Sequence, residues 1–310
     1  MPSAGQILVI RGGAIGDFIL TLPVLAALRS HFPGTRLEVL GYAHIASLAV
    51  AGGLADSVRP IEARSLAGFF ARDGSLDPQM RSYFARFAVI LSYLYDPEGV
   101  FQENVARCSS ARFLAGPHRP DERGTVHACE ALLQPLEALA IFAADSAPHL
   151  RLDPGALADE PALEPGLWVA MHPGSGSERK NWPERRWAEF LAACLTETPW
   201  QILLVGGEAE GDRLERLAAR QPAGRIRLAR NLPLPRLAGL LAGCAGYVGH
   251  DSGITHLAAA LGLPGIVLWA DTAEAVWRPR SPRFQLLRHP VGLVGLPAER
   301  VLAATRRLLE

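Results

Sequence analysis

Short apolar runs alternate with helical patterns along the chain, and this alternation constrains the fold more than any other feature. In the second half the pattern predicts strands at residues 167–171, 201–205, 225–228, 246–249 and 265–269, with helices at 184–196, 212–220, 234–241 and 253–261. Uninterrupted apolar runs of this length are typical of parallel strands that are buried on both faces. The alternation therefore predicts an α/β fold with doubly wound parallel sheets.

The first half shows the same rhythm less regularly. A strand at residues 7–10, a helical pattern from Asp17 and a strand at 37–40 predict a βαβ unit. Pro23 interrupts the helical pattern, so it either kinks that helix or lies in its first turn. The other predicted elements are helices at 45–51, 78–87, 101–110 and 126–139 and strands at 88–93 and 113–115. The loop from Gly116 to Gly124 either faces a ligand or is solvated surface.

The composition changes sharply at residues 151–166, where Pro, Ala, Asp and Glu replace the apolar periodicity. We predict an interdomain linker there, between an N-terminal Rossmann-like domain at 1–150 and a C-terminal one at 167–310. A chain of 310 residues is long enough for both domains. Ligands of doubly wound sheets bind at the carboxyl ends of the strands, so functional residues are expected in the turns that follow strands.

Charge and cysteine content exclude several classes of protein. The formal net charge is zero and no long block of like charges occurs, so we expect no nucleic-acid partner. The four cysteines lie far apart without a CxxC pair, as is typical of reduced thiols in a cytoplasmic protein. The first residues lead directly into a strand and no long apolar run occurs, so neither a signal peptide nor a membrane span is predicted.

The turn after the strand at 167–171 has the composition of a phosphate-binding loop. Gly174, Ser175, Gly176 and Ser177 carry small side chains, so backbone N–H groups can converge on an anion. Lys180 follows, and it is the only lysine among 31 basic residues. A compact ammonium binds phosphate as a point charge, whereas a guanidinium prefers a planar partner. The pattern predicts a phosphate site with Lys180; the alternative is a solvated loop lysine.

A second anion site is predicted where Asp251 and Ser252 follow a strand and open the helix at 253–261. The free N–H groups and the positive dipole end of a helix attract anions, although each contact contributes only about 0.3–1 kcal/mol at an exposed site. A diphosphate held jointly by this helix terminus, the glycine loop and Lys180 fits the pattern better than either site alone.

The turn after the first strand contains a carboxylate instead of a dinucleotide fingerprint. The spacing G-x-G-x-x-G would need glycine where Arg11 stands, which disfavours an NAD-dependent oxidoreductase. Asp17 lies just after this turn, at the start of a helix. It is either a functional carboxylate at the carboxyl end of the strand or a residue that caps the helix.

Three sequence blocks resemble family 9 glycosyltransferases, the bacterial heptosyltransferases of the lipopolysaccharide inner core. They are R-x4-GD-x5-P-x4-LR-x3-P from Arg11 to Pro33, HPGSGSERKNWP from His172 to Pro183, and HDSGITHLAAALGLP from His250 to Pro264. The segment at 268–279 is a looser version of a fourth family motif and departs from it at 270–274. The resemblance implies a GT-B fold, in which two Rossmann-like domains face each other across a cleft.

The resemblance also implies roles for individual residues. Asp17 would be the catalytic base, Lys180 would stabilise the departing ADP, and Leu232 would meet the base of the nucleotide. Glu210, with Glu208 as the alternative, would bind the ribose. The diphosphate would be surrounded by Ser175, Gly176, Lys180, Asp251, Ser252 and Gly253, next to Gly174. His172 and His256 are either donor-binding residues or structural ones.

The function implied is an inverting, metal-independent transfer of heptose from ADP-heptose to a lipid A-linked core acceptor. The sequence has no D-x-D pair, and the cluster Glu208, Glu210 and Asp212 is interpreted as a helix start, so no metal or other cofactor is expected. The enzyme would be cytoplasmic, with peripheral contact to the inner membrane leaflet. The alternatives are another nucleotide sugar with a different glycan acceptor, or a non-catalytic nucleotide-binding module. The final helix, at 297–309, is expected to pack back on the first domain.

Overall fold

The computed structural model describes residues 5–152, 163–221 and 224–310, and the chain divides into two compact units, residues 1–148 and 149–310. The linker predicted at 151–166 falls mostly on residues 153–162, which lie outside the described residues. The predicted roles of the two domains, acceptor binding and nucleotide-sugar binding, stay predictions.

The first unit is built on a five-stranded parallel sheet with the strand order β3–β2–β1–β4–β5. The strands are β1 (Gln6–Arg11), β2 (Leu37–Gly41), β3 (Ser57–Pro60), β4 (Phe87–Ser92) and β5 (Arg112–Ala115). The α-helices are α1 (Ile15–Ile19), α2 (Leu22–His31), α3 (Ala43–Ala51), α4 (Pro78–Phe84), α5 (Val100–Ala106) and α6 (Ala128–Leu133). Two 3-10 helices span Arg64–Phe70 and Gln134–Leu139. The βαβ start and the strands predicted here are confirmed.

Prolines explain where the first unit departs from the prediction. Pro23 is the second residue of α2, so it lies in a first turn, where its missing N–H costs nothing. The single helix predicted at 126–139 is wrong: α6 ends at Leu133 and a 3-10 helix follows, because Pro135 cannot donate to Ala131 and its ring crowds that carbonyl.

The strand β3 was not predicted for a different reason: it lies at the sheet edge and is only half-buried.

The second unit contains a six-stranded parallel sheet with the order β11–β10–β9–β6–β7–β8. The strands are β6 (Trp168–His172), β7 (Gln201–Gly206), β8 (Ile226–Arg230), β9 (Gly246–His250), β10 (Gly265–Leu268) and β11 (Phe284–Leu287). The α-helices are α7 (Glu184–Glu197), α8 (Arg213–Ala219), α9 (Leu234–Ala242), α10 (Gly253–Ala260), α11 (Glu274–Trp277) and α12 (Ala298–Leu309). Short 3-10 helices span Glu178–Lys180, Glu208–Glu210 and Leu293–Gly295. Every predicted strand and helix is confirmed; the edge strand β11 was missed.

The core of the second unit lies beneath the loop that follows β6. Trp182 is buried, with its ring centroid 5.3 Å from that of Trp187 in an edge-to-face arrangement, and its indole N–H donates to the carbonyl of Leu296 at 2.9 Å. The apolar face of α12 packs against α7 and β10 within this unit, through residues such as Val301. The expected contact of this helix with the first domain stays a prediction.

None of the four cysteines, all of which the structure describes, forms a disulfide; Cys129 and Cys194 are buried, and Cys108 and Cys244 are half-buried. Within the residues that the structure describes, no helix has both the length and the apolar content needed to cross a bilayer.

Candidate functional site

The carboxyl ends of β9, β6, β7 and β8 lie side by side in the second sheet, and most of the predicted donor-binding residues are on the turns that leave them. His172 ends β6, His250 ends β9, and Gly206 ends β7. Since all of these strands are parallel, their following loops emerge at one edge. Strand order thus brings together segments that are about 80 residues apart in the chain, as the 80-residue separation of His172 and Ser252 illustrates.

Lys180 forms an ion pair with Asp251, with 2.9 Å between Nζ and Oδ2. The lysine side chain is 28% exposed and that of the aspartate 9%. The pair joins the 3-10 helix after the glycine loop to the segment that precedes α10, so the two predicted halves of the phosphate site are in contact. An ammonium carries three donors, and one bond to Asp251 leaves donors for an anionic ligand.

Glu210 lies beside the glycine loop. Its Oε2 accepts a hydrogen bond of 2.6 Å from the N–H of Gly207, which fixes the carboxylate. A Cβ on Gly174 would lie 2.7 Å from Cγ of Glu210 and closer still to its carboxylate. The glycine at this position is therefore required by the packing of Glu210, a different reason from the anion contact predicted from sequence.

Gly176 is required for its backbone conformation. Its φ is +72°, in the left-handed region that side chains disfavour, and an added Cβ there would meet no atom within 4 Å. The neighbouring Ser175 ties the loop together, because its hydroxyl lies 2.7 Å from Oδ1 of Asn181 and 2.9 Å from the carbonyl of Ser177. The loop is thus internally braced.

His172 is a neutral polar group between two predicted ligand-binding residues. Its Nδ1 lies 3.2 Å from Oγ of Ser252, and its Nε2 lies 3.8 Å from Oε1 of Glu210. Burial, together with the nearby His250 and Arg213, lowers the pKa of His172 to about 3. The imidazole is therefore uncharged at neutral pH, and its contact with Glu210 is polar rather than ionic.

His250 holds the loop from both sides and was given no role from sequence. Its Nε2 accepts from the N–H of Trp182 at 2.8 Å, so the proton must be on Nδ1, which lies 3.1 Å from the carbonyl of Gly174 and donates to it. Burial lowers the pKa of His250 to about 4. A neutral histidine with a defined tautomer thus fastens the end of β9 to the start and the end of the loop.

Ser252 caps α10, since its hydroxyl accepts from the N–H of Thr255 at 3.3 Å. Gly253 is the first residue of this eight-residue helix, so the free N–H groups of its first turn lie next to the Lys180–Asp251 pair. His256 is the fourth residue of α10 and is buried. The predicted helix terminus is confirmed as an element; its role in anion binding stays a prediction.

Arg213, at the start of α8, also braces the loop and was missed from sequence. It donates to the carbonyl of Pro173 at 3.2 Å and pairs with Glu178 at 2.6 Å. Nothing in the sequence distinguishes this arginine from the 29 others. Leu232 is half-buried after β8, where the N–H of the preceding Asn231 donates to the carbonyl of Gly206 at 3.0 Å.

The three acidic residues at 208, 210 and 212 do not face a common point. Glu208 and Glu210 begin and end a 3-10 helix, and Asp212 lies 3.5 Å from Arg230. Within the described part of the chain, no group of three or more His, Cys, Asp or Glu side chains could hold a metal ion.

Asp17 belongs to the first unit, where it is the third residue of α1. The N-cap of α1 is Ala14, so the alternative that Asp17 is the N-cap residue is wrong; its Oδ2 instead accepts from the N–H of Ala14 at 2.9 Å, from the third helical position. Its Oδ1 lies 3.4 Å from Nη2 of Arg11, which is almost completely buried. The carboxylate is 29% exposed, so it remains open to a substrate as well.

Arg11 ends β1 and makes three sets of contacts. Besides Asp17, its Nη1 donates to the carbonyl of His118 at 2.9 Å, and its guanidinium lies 5.7 Å from the ring centroid of Tyr93. Burial lowers the pKa of Arg11, whereas Asp17 raises it. Arginine remains protonated across the physiological range, so Arg11 is a buried positive charge that is paired with the carboxylate of Asp17.

Comparison with known proteins places the glycine loop and the segment that opens α10 in one family. Residues 110–292 match the model of glycosyltransferase family 9 (heptosyltransferase). Lipopolysaccharide heptosyltransferase 1 of Pseudomonas aeruginosa is 40% identical over 125 residues, which cover 39% of this chain and 33% of that protein. The chain thus spans about a third of that relative. Lipopolysaccharide heptosyltransferase 3 of Escherichia coli is 24% identical over 95% of both chains.

The fold agrees with this match. The solved structure of E. coli ADP-heptose lipopolysaccharide heptosyltransferase II superposes with a TM-score of 0.77 at 18% identity, covering 98% of both chains. With two parallel-sheet α/β units, the chain has the GT-B fold predicted from its sequence.

Proposed function

The chain belongs to glycosyltransferase family 9, and on that premise we propose that it is an inverting transferase that moves heptose from ADP-heptose to a lipid A-linked lipopolysaccharide core acceptor. The observation that carries this proposal is the Lys180–Asp251 ion pair beside the capped N-terminus of α10. It brings a half-exposed ammonium and a helix dipole to one edge of the second sheet, which is the arrangement that a diphosphate needs. The relatives named above are heptosyltransferases, which supports heptose as the transferred sugar.

The donor would bind to the second unit. The braced backbone of Ser175 and Gly176, together with Lys180 and the first turn of α10, would surround the diphosphate. Glu210 already has one carboxylate oxygen bonded to Gly207, so the other would accept a ribose hydroxyl. Leu232, at the neighbouring strand end, would contact the nucleotide base.

The reaction would be a direct displacement at the anomeric carbon. Asp17 takes the proton of an acceptor hydroxyl as its oxygen bonds to that carbon, and the bond from the anomeric carbon to the diphosphate oxygen breaks. Positioned base catalysis typically contributes about 10²–10⁴-fold. Lys180 stabilises the charge that develops on the departing ADP, and the neutral His172 contributes a hydrogen-bonding group without adding charge.

We propose that no metal ion takes part, because the remaining donors of Lys180 and the helix N–H groups would bind the diphosphate oxygens directly. Activity that survives dialysis against EDTA, with the metal content checked by mass spectrometry, is the expected result. Loss of activity that added divalent ions restore would contradict this part of the proposal.

The donor site is tested by calorimetric titration with ADP in the absence of metal. Lys180→Ala should weaken binding at least tenfold, about 1.4 kcal/mol, whereas Arg179→Ala, at an exposed neighbouring cation, should leave it unchanged. The double variant Lys180→Ala/Asp251→Asn distinguishes loss of the ammonium from repulsion by the unpaired carboxylate. Binding of UDP or GDP in place of ADP would retain the transferase and discard the heptose donor; no nucleotide binding would overturn the proposal.

Turnover separates an enzyme from a nucleotide-binding module that lacks activity. Asp17→Asn keeps the size of the side chain and its contact with Ala14, so it should bind ADP normally and transfer heptose at least a hundredfold more slowly. If the native protein binds ADP-heptose but transfers nothing to core oligosaccharide, the module is the correct description.

The acceptor is lipid-linked, so we also propose peripheral contact with the cytoplasmic face of the inner membrane. Co-sedimentation with vesicles of phosphatidylethanolamine and phosphatidylglycerol tests this contact. Absence of binding at low salt, where electrostatic attraction is strongest, would remove it.

A further inference from the structure

Tyr95 presents an aromatic ring to solvent near the carboxyl edge of the first sheet. It follows β4, and the residue is 71% exposed. The centroid of its ring lies 4.6 Å from that of His118, with an angle of 59° between the ring planes. Single exposed apolar residues are common on protein surfaces, so the exposure alone indicates nothing. What distinguishes this ring pair from other exposed apolar residues is the set of hydrogen bonds made by the adjacent chain.

Hydrogen bonds anchor the residue next to Tyr95 and the backbone of His118. Asp96, next to Tyr95, accepts from the N–H groups of Phe101 and Gln102 at 3.2 and 3.0 Å, which caps α5. The carbonyl of His118 accepts from the buried guanidinium of Arg11 at 2.9 Å. The chain beside each ring is therefore anchored before any ligand arrives, which reduces the backbone entropy that binding costs.

The backbone of His118 is linked to the carboxylate of Asp17 through Arg11. Arg11 donates to the carbonyl of His118 through Nη1, and its Nη2 lies 3.4 Å from Oδ1 of Asp17. One guanidinium thus spans the two, and their order in the sheet agrees, since β1 and β5 both flank β4. This places the start of the loop that sequence left open, from Gly116 to Gly124, beside the proposed base.

We propose that Tyr95 and His118 form a stacking platform for a sugar ring of the acceptor. The C–H groups on one face of a pyranose are electron-poor and pack against the electron-rich face of an aromatic ring. A sugar held there would lie near Asp17, the base in the proposed function on which this inference rests. The platform recognises a ring face rather than a charge, so its ligand is a saccharide unit and not a phosphate.

Three variants test the platform: Tyr95→Ala removes the ring, Tyr95→Phe keeps it, and Phe142→Ala removes an equally exposed ring, 75% exposed, elsewhere in the first unit. The acceptor probe is deacylated lipopolysaccharide core oligosaccharide. In Tyr95→Ala the KM for this oligosaccharide should rise roughly three- to tenfold, with ADP affinity unchanged. Tyr95→Phe and Phe142→Ala should match the native protein in both.

The outcomes separate this inference from the proposed function. An unchanged acceptor KM in Tyr95→Ala, with normal turnover, overturns the platform and leaves the transferase intact. A rise in KM that Tyr95→Phe shares would also overturn it, since the hydroxyl and not the ring face would then be responsible. If no transfer occurs, calorimetric binding of the oligosaccharide to native protein and to Tyr95→Ala decides the platform independently, and equal affinity or no binding overturns it.

Discussion

The contact between Gly174 and Glu210 makes a quantitative prediction about the second unit. In Gly174→Ala the new Cβ would lie 2.7 Å from Cγ of Glu210, so rotation of the carboxylate alone cannot relieve the overlap and the whole side chain must move. Overpacking costs about 1–3 kcal/mol, and loss of the charge-assisted bond from the N–H of Gly207 costs about 1.5–3 kcal/mol. Because a partial shift trades one cost against the other, we expect a loss of about 2–4 kcal/mol in the free energy of unfolding.

A double-mutant cycle isolates the cause. In a Glu210→Ala background the space for the new methyl group is open, so Gly174→Ala should cost less than 1 kcal/mol there. The matched control is Gly176→Ala, whose Cβ meets no atom but whose φ is +72°, so it should cost about 1 kcal/mol in either background.

The assay is denaturant unfolding followed by tryptophan fluorescence. All six tryptophans lie between Trp168 and Trp277, so the signal reports the second unit alone. Equal costs of Gly174→Ala in the native and Glu210→Ala backgrounds, within 0.5 kcal/mol, would refute the packing argument and return Gly174 to the anion-contact explanation.

Three further predictions concern polar groups of the two units. Arg11→Lys keeps the charge but loses the two-pronged contact, so kcat should fall roughly 10–100-fold with ADP affinity unchanged; equal loss of ADP affinity would contradict a local role beside Asp17. Burial lowers the pKa of His172 to about 3 and of His250 to about 4, so below about pH 6.5 the unfolded chain binds protons that the folded chain does not. The contribution of the two neutral histidines to stability is therefore fully present above that pH. Towards pH 4 the free energy of unfolding should fall by up to about 1.4 kcal/mol per pH unit for each histidine. A midpoint of unfolding, followed by fluorescence, that stays constant from pH 7 to 4.5 would exclude this. Ser252→Ala removes the cap of α10 and should cost about 1 kcal/mol, measured by the same unfolding assay, whereas Ser252→Gly should cost only a few tenths.

Local sequence pattern was sufficient for the elements that are buried on both faces. The apolar runs of β1, β6 and β9 identified central strands, because only such runs can be covered by helices on both sides. The pattern failed at β3 and β11, which are edge strands with half their surface open, and at Pro135, where one residue changed a helix type. The other two edge strands, β5 and β8, were predicted; at β3 and β11 the apolar pattern is weaker, and pairing with β2 and β10 decides that the segment is a strand.

The sequence by itself determined that a glycine loop, a single lysine and a helix N-terminus would follow parallel strands, since these depend on residues adjacent in the chain. Tertiary structure alone decided their partners: that Lys180 pairs with Asp251, that His250 holds the loop, and that Glu210 requires Gly174. These pairings depend on β6 lying between β9 and β7. The order of strands in a sheet is set by the packing of the whole unit, and no local stretch of sequence contains it.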